Sequence, residues 1–554
     1  MMNLTGSDTP LFFLLLKISL WLFPVFLYAE MHYRWSFFKG FLFKKQPEVI
    51  FDLPYRIQSD TLPVLLLIKD ADRYPIRIHK IEILLKSPEN LEVLKQVTIE
   101  AAQFIDTKWY YRLFHIDCTE FQNQWLMIDC YAYASIGSKR LIIKNDNYRA
   151  LSQNPFSTFI DPDPLPLEKG WIWGDLHCHS SYTEDQAEFG TPPQCISPMA
   201  AAMGLSFCAL TEHSYDMDNY FDSWTKNDPK LEKWQDYQKT IHAINQTNQD
   251  FIIIPGEEVS VDNGFGKTVH LSILNDPEFH IGTGDGMEKS LGKETEHYYA
   301  SLLETLPQHT LAFAAHPMSK SPFMHRLLIR RGVWNHWDIH PKLHGYQILN
   351  GLDDEEFISG KDYWIRQLLK GQRQFIYAGN DSHGNFNRFR QINIPMLSMH
   401  EHRNQIFGYH LTGVKSSINQ GINDLIDDLK HQPVIISCGP FIDISISGSS
   451  SGKGRILQTL TKQPDTVSIQ AKSSSFFGAI KQLHLFVGDL YNQKEYKFKT
   501  IDRISGQYQT TLSLPLQDIP ERGYIRAELT THKEKFALTN PVWYGMENTV
   551  FNLK

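Results

Sequence analysis

Trp171-Ile172-Trp173-Gly174-Asp175-Leu176-His177-Cys178-His179-Ser180 decides the fold of this chain. An apolar run ends there in two histidines. Side chains at i and i+2 of a strand point to one face. His177 and His179 can therefore reach the same ion, while Cys178 points the other way, into the core. Glu184 and Asp185 follow within a few residues. An isolated HxH is as often a polar surface pair, so the rest of the chain must decide.

Outward from this stretch, short apolar runs alternate with helical ones. The apolar runs are 171–177, 205–210, 251–255, 267–274, 310–315, 345–349 and 375–379. Helical candidates at 229–245, 294–306 and 361–369 lie between them, with Gly371 where a helix C-terminus is expected. This alternation predicts a parallel sheet or barrel. The runs carry or end in metal-binding side chains: Thr211-Glu212-His213, Gly256-Glu257-Glu258, His270, His316-Pro317 and Asn380-Asp381-Ser382-His383. In α/β barrels, functional groups gather at the C-terminal strand ends. Imidazole and carboxylate together suit Zn, Mn or Fe better than Mg or Ca. The candidates outnumber the ligands of one tetrahedral ion, so two to three divalent ions are expected. His270 alone would read as a core histidine, and Glu257 as solvated or supporting.

The 554 residues imply several domains. The expected division is 1–45, an apolar N-terminal segment; 46–160, a β-sandwich; 168–425, the metal-dependent barrel; and 432–554, a second β-sandwich. A proline-rich linker covers 161–167. The net charge of -8, with no long basic run, argues against bulk nucleic-acid binding. The six cysteines form no CxxC pair, and buried free thiols are expected over a Cys118–Cys130 bridge. Residues 11–29 carry one charge, Lys17, and as a helix would span about 28 Å, near the thickness of a bilayer core. Arg34, Lys39, Lys44 and Lys45 follow among aromatics. A membrane contact through 11–29 with a cytoplasmic-facing catalytic region is expected. A signal peptide and a buried helix are the rival readings, which would leave the chain exported or soluble in the cytoplasm.

The set Asp175-Leu-His-Cys-His179, Thr211-Glu-His213, Pro255-Gly-Glu-Glu258, His270, Ala315-His-Pro317 and Asp381-Ser-His383 resembles the PHP family, the polymerase and histidinol phosphatase domains. The resemblance covers about two-fifths of the chain. It implies a distorted seven-stranded (β/α) barrel, here flanked by N- and C-terminal β-sandwiches. It also implies a metal-dependent phosphoesterase that hydrolyses a small phosphate mono- or diester, nucleotides among the options, with a metal-bound hydroxide. By resemblance, His177, His179, Glu258 and Asp381 hold one ion. Glu258 bridges to a second, held by His270 and His316. His213 and His383 hold a third, with Glu184 or Asp185 as the acid; the spacing Tyr182-Thr-Glu-Asp185 favours Asp185. Glu258, Asp381 and His383 carry the catalysis. Asp175 and Glu212 stand behind the ligands, Glu212 replacing the family's usual aspartate. Asn350 either touches substrate or caps the turn with Gly351, and one of Lys320, Arg326, Arg331 and Arg388 grips phosphate. Two rival readings are kept. One is an amidohydrolase-like metallohydrolase, which calls for a strand-end lysine that is not found. The other is a non-catalytic envelope or carbohydrate-binding protein built on the β-domains.

Overall fold

Strand Ile76–Lys86 shows how the N-terminal part is made. Ile76 and Ile78 point inward, then Ile81, Ile83 and Leu85 do. The change of parity falls at a β-bulge between Ile78 and Lys80, which adds one residue relative to the neighbouring strand Gln124–Ile136 and keeps the apolar set on the core. This strand lies in a six-stranded sheet that faces a three-stranded one formed by Glu48–Asp52, Thr61–Lys69 and Trp109–Asp117. The two close over one apolar core in a sandwich-like arrangement. Strand Thr61–Lys69 is apolar on both faces because both are covered. Val64, Leu66 and Ile68 face the sandwich core, while Leu65 and Leu67 pack with Cys195 and Met199 of the central region. The computed structural model describes residues 46–147, 152–183, 190–282, 295–320, 326, 330–334, 340–351, 355–389, 391–394, 397–400, 405–418, 421–448, 452–455 and 459–545. The apolar segment 11–29, Glu184 and Asp185 lie outside these. Among the described residues no helix is long and apolar enough to cross a membrane.

The central strands are β1 (Ile172–Cys178), β2 (Phe207–His213), β3 (Ile252–Asp262), β4 (Thr268–Leu274), β5 (Leu311–Ala314), β6 (Gly345–Asn350) and β7 (Phe375–Gly379). Each falls on one of the apolar runs. Helices α1 (Pro193–Met203), α2 (Glu232–Thr247), α3 (Glu355–Leu369) and α4 (Ile422–His431) pack around them. The sequence pattern marks α2 and α3 but not α1 or α4. Helix α1 opens on a proline and closes on Gly204 in the left-handed region, φ 95°.

The expected seven-stranded (β/α) barrel is not what these strands form. The order β7-β6-β5-β4-β3-β2-β1 continues through β8 (Leu411–Val414) and β9 (Val434–Ser437) into C-terminal strands, all in one 15-stranded sheet among the described residues. Pairs β1–β2, β2–β3, β5–β6 and β6–β7 are parallel. Pairs β3–β4 and β4–β5 are antiparallel. The sheet does curl, bringing β7 back beside β1 and β8, but side chains and a few backbone bonds at the strand ends make the junction in place of a continuous ladder. Thr412 Oγ1 accepts from Ala378 N at 2.9 Å and donates to Ala378 O at 2.8 Å. Asn540 does the same for Ile376, with Oδ1 2.9 Å from its N and Nδ2 3.2 Å from its O. A single isolated bridge, Cys178 to Ser382, joins the two strand ends. A four-stranded sheet containing Phe441–Gly448 and Thr466–Lys472 completes the C-terminal part, packing apolar residues such as Ile444 and Ile469 into the same core as Leu483 and Leu529.

Candidate metal centre

The strands deliver their polar ends to one point. His213 closes β2 and sits in register with Glu258 of β3. Glu258 in turn pairs with Ser272 of β4, two residues from His270 and on the same face. His270 O accepts from Ala315 N at 3.1 Å, which places His316 next to it. His177 O accepts from Asn380 N and Asp381 N, at 3.2 and 2.8 Å, and so draws the exit of β7 against β1. His316 and Asp381 have φ of 27° and 50°, left-handed conformations that surrounding bonds must enforce.

Glu258 is the centre of the cluster. Its Oε1 lies 2.6 Å from His270 Nδ1 and 2.8 Å from His316 Nε2. Its Oε2 lies 3.1 Å from His213 Nδ1 and 3.5 Å from His177 Nε2. Asp381 Oδ1 stands 3.1 Å from His179 Nε2 and 3.3 Å from His177 Nε2. The His383 ring stacks on His179 at 4.6 Å. Three groups have ligand atoms within 4.8 Å of one another: His177, His179, Glu258 and Asp381; Glu258, His270 and His316; and His179, His213 and His383.

This donor set fits divalent ions. His177 Nε2, His179 Nδ1, both ring nitrogens of His213 and Glu258 Oε2 are buried without a hydrogen-bond partner among the described residues. Buried polar atoms are normally satisfied, and unpartnered ligand-type atoms on His177, His179, His213 and Glu258 are what bound ions would satisfy. Burial raises the Glu258 carboxyl, but His270 and His177 outweigh it and hold it well below the usual carboxylate range. Asp381 is lowered in the same way, its burial being outweighed by His177 and His179. Burial and the neighbouring His213 depress His179 to about 4, so that it is a neutral donor at pH 7.

The supporting residues behave differently from one another. Asp175 accepts from His177 N, Asn380 N, Asn380 Nδ2 and Gly408 N at 2.7–3.1 Å, tying β1 to the end of β7. Glu212 does not touch His213. Its carboxylate accepts from Ser180 N and Thr183 N, and Thr183 Oγ1 accepts from His213 N at 3.1 Å. Its hold on His213 is thus relayed through the turn after His179. Glu257 points away from the cluster, accepting from Ser214 Oγ and His280 N. Cys178 donates to Ala209 O in the core, and all six cysteines are buried free thiols.

Asn350 lies at the cluster: its Nδ2 donates to Asp381 Oδ2 at 3.4 Å. Of the candidate cations, Arg331 reaches the cluster, with its guanidinium against His270. Lys320 pairs with Glu355 at an exposed position, and Arg388 with Asp52. Gln347 escaped the sequence reading altogether, yet its Oε1 lies 2.7 Å from His177 Nδ1. Nothing in its sequence neighbourhood marks it, since a glutamine in an apolar run has no ligand pattern.

No family model matches the chain, and no curated protein matches it. Among solved structures, the chain is similar to a glycosyl hydrolase family 2 member from Bacteroides cellulosilyticus, with 7% identity and a TM-score of 0.18 over 88% of this chain and 62% of that one. It is also similar to beta-glucuronidases of Bacteroides uniformis (8% identity, TM-score 0.18, 90% and 60% covered) and Parabacteroides merdae (8%, 0.19, 90% and 65%). The chain spans about six-tenths of the length of these structures. At such TM-scores the likeness carries no argument about fold or activity. The resemblance to the PHP family is corrected on the first of these findings: no family model matches the chain. The phosphoesterase expectation stood on that resemblance and is withdrawn with it.

Proposed function

We propose that this chain is a metal-dependent hydrolase with a multinuclear centre of two to three Zn, Mn or Fe ions. The observation that supports it is Glu258, whose two oxygens each face a different pair of histidines. Ions held there supply Lewis acidity and lower the pKa of water. Glu258 provides the negative charge that lets two cations sit close together, since their repulsion is large in a dry site. Burial of His177, His179 and Glu258 excludes bulk water from this charge cluster. Asp381 and the half-buried His383 form its outer edge, with roles in orienting the reacting groups. Beside them His316, Ser319, Asn350 and Phe357 line a small cleft of about 10 Å³, room for about one water molecule.

The test uses metal-analysed protein and a panel of phosphate esters, amides, lactones and glycosides, which identifies the bond cleaved. On the best substrate, Glu258→Gln is expected to lower kcat/KM by roughly a hundredfold or more, with loss of bound ion. Burial pushes the Glu257 carboxyl up to about 8, so it is protonated at pH 7. Glu257→Gln then replaces one neutral group with another of the same shape, and roughly fivefold or less is expected. Wild-type protein without bound ions, or inactivity confined to Glu257→Gln, overturns the reading.

A further inference from the structure

The ligand group His177, His179, Glu258 and Asp381 is joined from behind by two neutral side chains of β6. Gln347 Oε1 lies 2.7 Å from His177 Nδ1, and Gln347 Nε2 lies 2.6 Å from Asn350 Oδ1. Asn350 Nδ2 lies 3.4 Å from Asp381 Oδ2. Residues three apart on a regular strand point to opposite faces. Here the β6–β7 pairing shifts register between Gln347 and Leu349, and this irregularity lets both amides face the cluster.

We propose that Gln347 and Asn350 form a polarised amide relay that holds His177 with its proton on Nδ1, leaving the Nε2 lone pair for the ion. This rests on the metal-dependent reading above. The polarity follows from the end of the chain. An ionised carboxylate only accepts hydrogen bonds. Asn350 must therefore turn its NH2 to Asp381 and its carbonyl to Gln347. Gln347 must then turn its own NH2 to Asn350 and its carbonyl to His177. The carbonyl needs a donor, so His177 Nδ1 carries the proton. One carboxylate thus sets the tautomer of a ligand on another strand, and the same bonds fix the aim of Asp381. Partners behind a metal-bound histidine commonly orient it in this way.

The space around the relay supports its function as a built feature. Gln347 is fully buried, where an unsatisfied amide is costly. A Cβ on Gly379 would lie 2.6 Å from His177 Cβ and 3.0 Å from Gln347 Nε2, so glycine clears the place where the amide meets the histidine. Gln347 and Asn350 are positioning residues: they act through His177 and Asp381.

The experiment measures zinc affinity of the full chain by chelator competition, with thermal unfolding as a control. It also reads the His177 tautomer from histidine 15N shifts, assigned by the signal lost in His177→Ala. Gln347→Leu is expected to weaken zinc binding roughly 10- to 100-fold and to mix the tautomers. Gln347→Glu, which keeps an acceptor facing Nδ1, should retain affinity within roughly threefold and the Nδ1–H form. Asn350→Leu frees the amide to turn and should also mix the tautomers. If Gln347→Leu fails to fold, the other two variants decide. Zinc affinity within about twofold of wild type in Gln347→Leu, an Nε2–H tautomer in the wild type, or an unchanged tautomer in Asn350→Leu overturns the relay. A wild type that takes up no zinc overturns the metal reading and the relay with it, since the relay is proposed to free Nε2 for the ion.

Discussion

Two residues of the cluster, His316 and Asp381, are held at positive φ, and such strain persists where neighbouring bonds over-determine it. For Asp381 those bonds are visible: its own N–H on His177 O, and Asp175 fastening the residue before it. Burial acts on a single residue far from the cluster too. Asp443, on strand Phe441–Gly448, is buried near Glu168, and burial raises its carboxyl to about 7 against an ordinary value near 3.8. The folded state therefore keeps this proton at a pH where the unfolded chain has lost it. Its stabilising contribution is fully present below about pH 4 and is lost as pH rises through 7. Asp443→Asn stays neutral throughout. The variant should unfold several degrees higher than wild type at pH 8 and at nearly the same temperature at pH 4. A gain of equal size at both pH values would show that the carboxyl is not held protonated.

At the scale of elements, β7 is the strand whose support departs most from a ladder. Its free edge at Ile376 and Ala378 is satisfied by Asn540 and Thr412, and β7 leads directly into Asp381. Thr412→Val keeps the shape but removes both bonds to Ala378. Leaving a buried N–H and C=O unpaired should cost about 1–3 kcal/mol in urea unfolding. Amide exchange at Ala378 should quicken in the same variant. Unaltered exchange there would mean that β7 is held by packing alone.

For the whole molecule, the cluster draws on residues from His177 to His383, contributed by strands that are distant along the chain. An ion bound to the folded state and not to the unfolded one stabilises by mass action. Removing ions by chelation should therefore lower the unfolding temperature of wild-type protein by a few degrees or more. The His177→Ala and His179→Ala double variant should start lower and respond less. A chelator that strips the metal without moving the wild-type transition would show that the cluster does not help hold these strands together.

Local geometry is what the sequence carried unaided. Alternation along β1 put His177 and His179 on one side and Cys178 on the other, because side chains of a strand alternate wherever the strand lies. The positions of all seven central strands followed from apolar runs for the same local reason. Direction and closure are not local. A strand buried on both faces reads as the same apolar run whether its neighbour is parallel or antiparallel. The reversal at β3–β4–β5 and the continuation of β1 into β8 were therefore invisible. The order of short His and acid motifs resembled one family, but residues of these types gather at strand ends on unrelated folds, and a shared donor chemistry does not establish descent. Gln347 and Asn350 became functional only once folding placed them between His177 and Asp381. An amide has no sequence signature for its partner, and its polarity here is set by a carboxylate just beyond another strand.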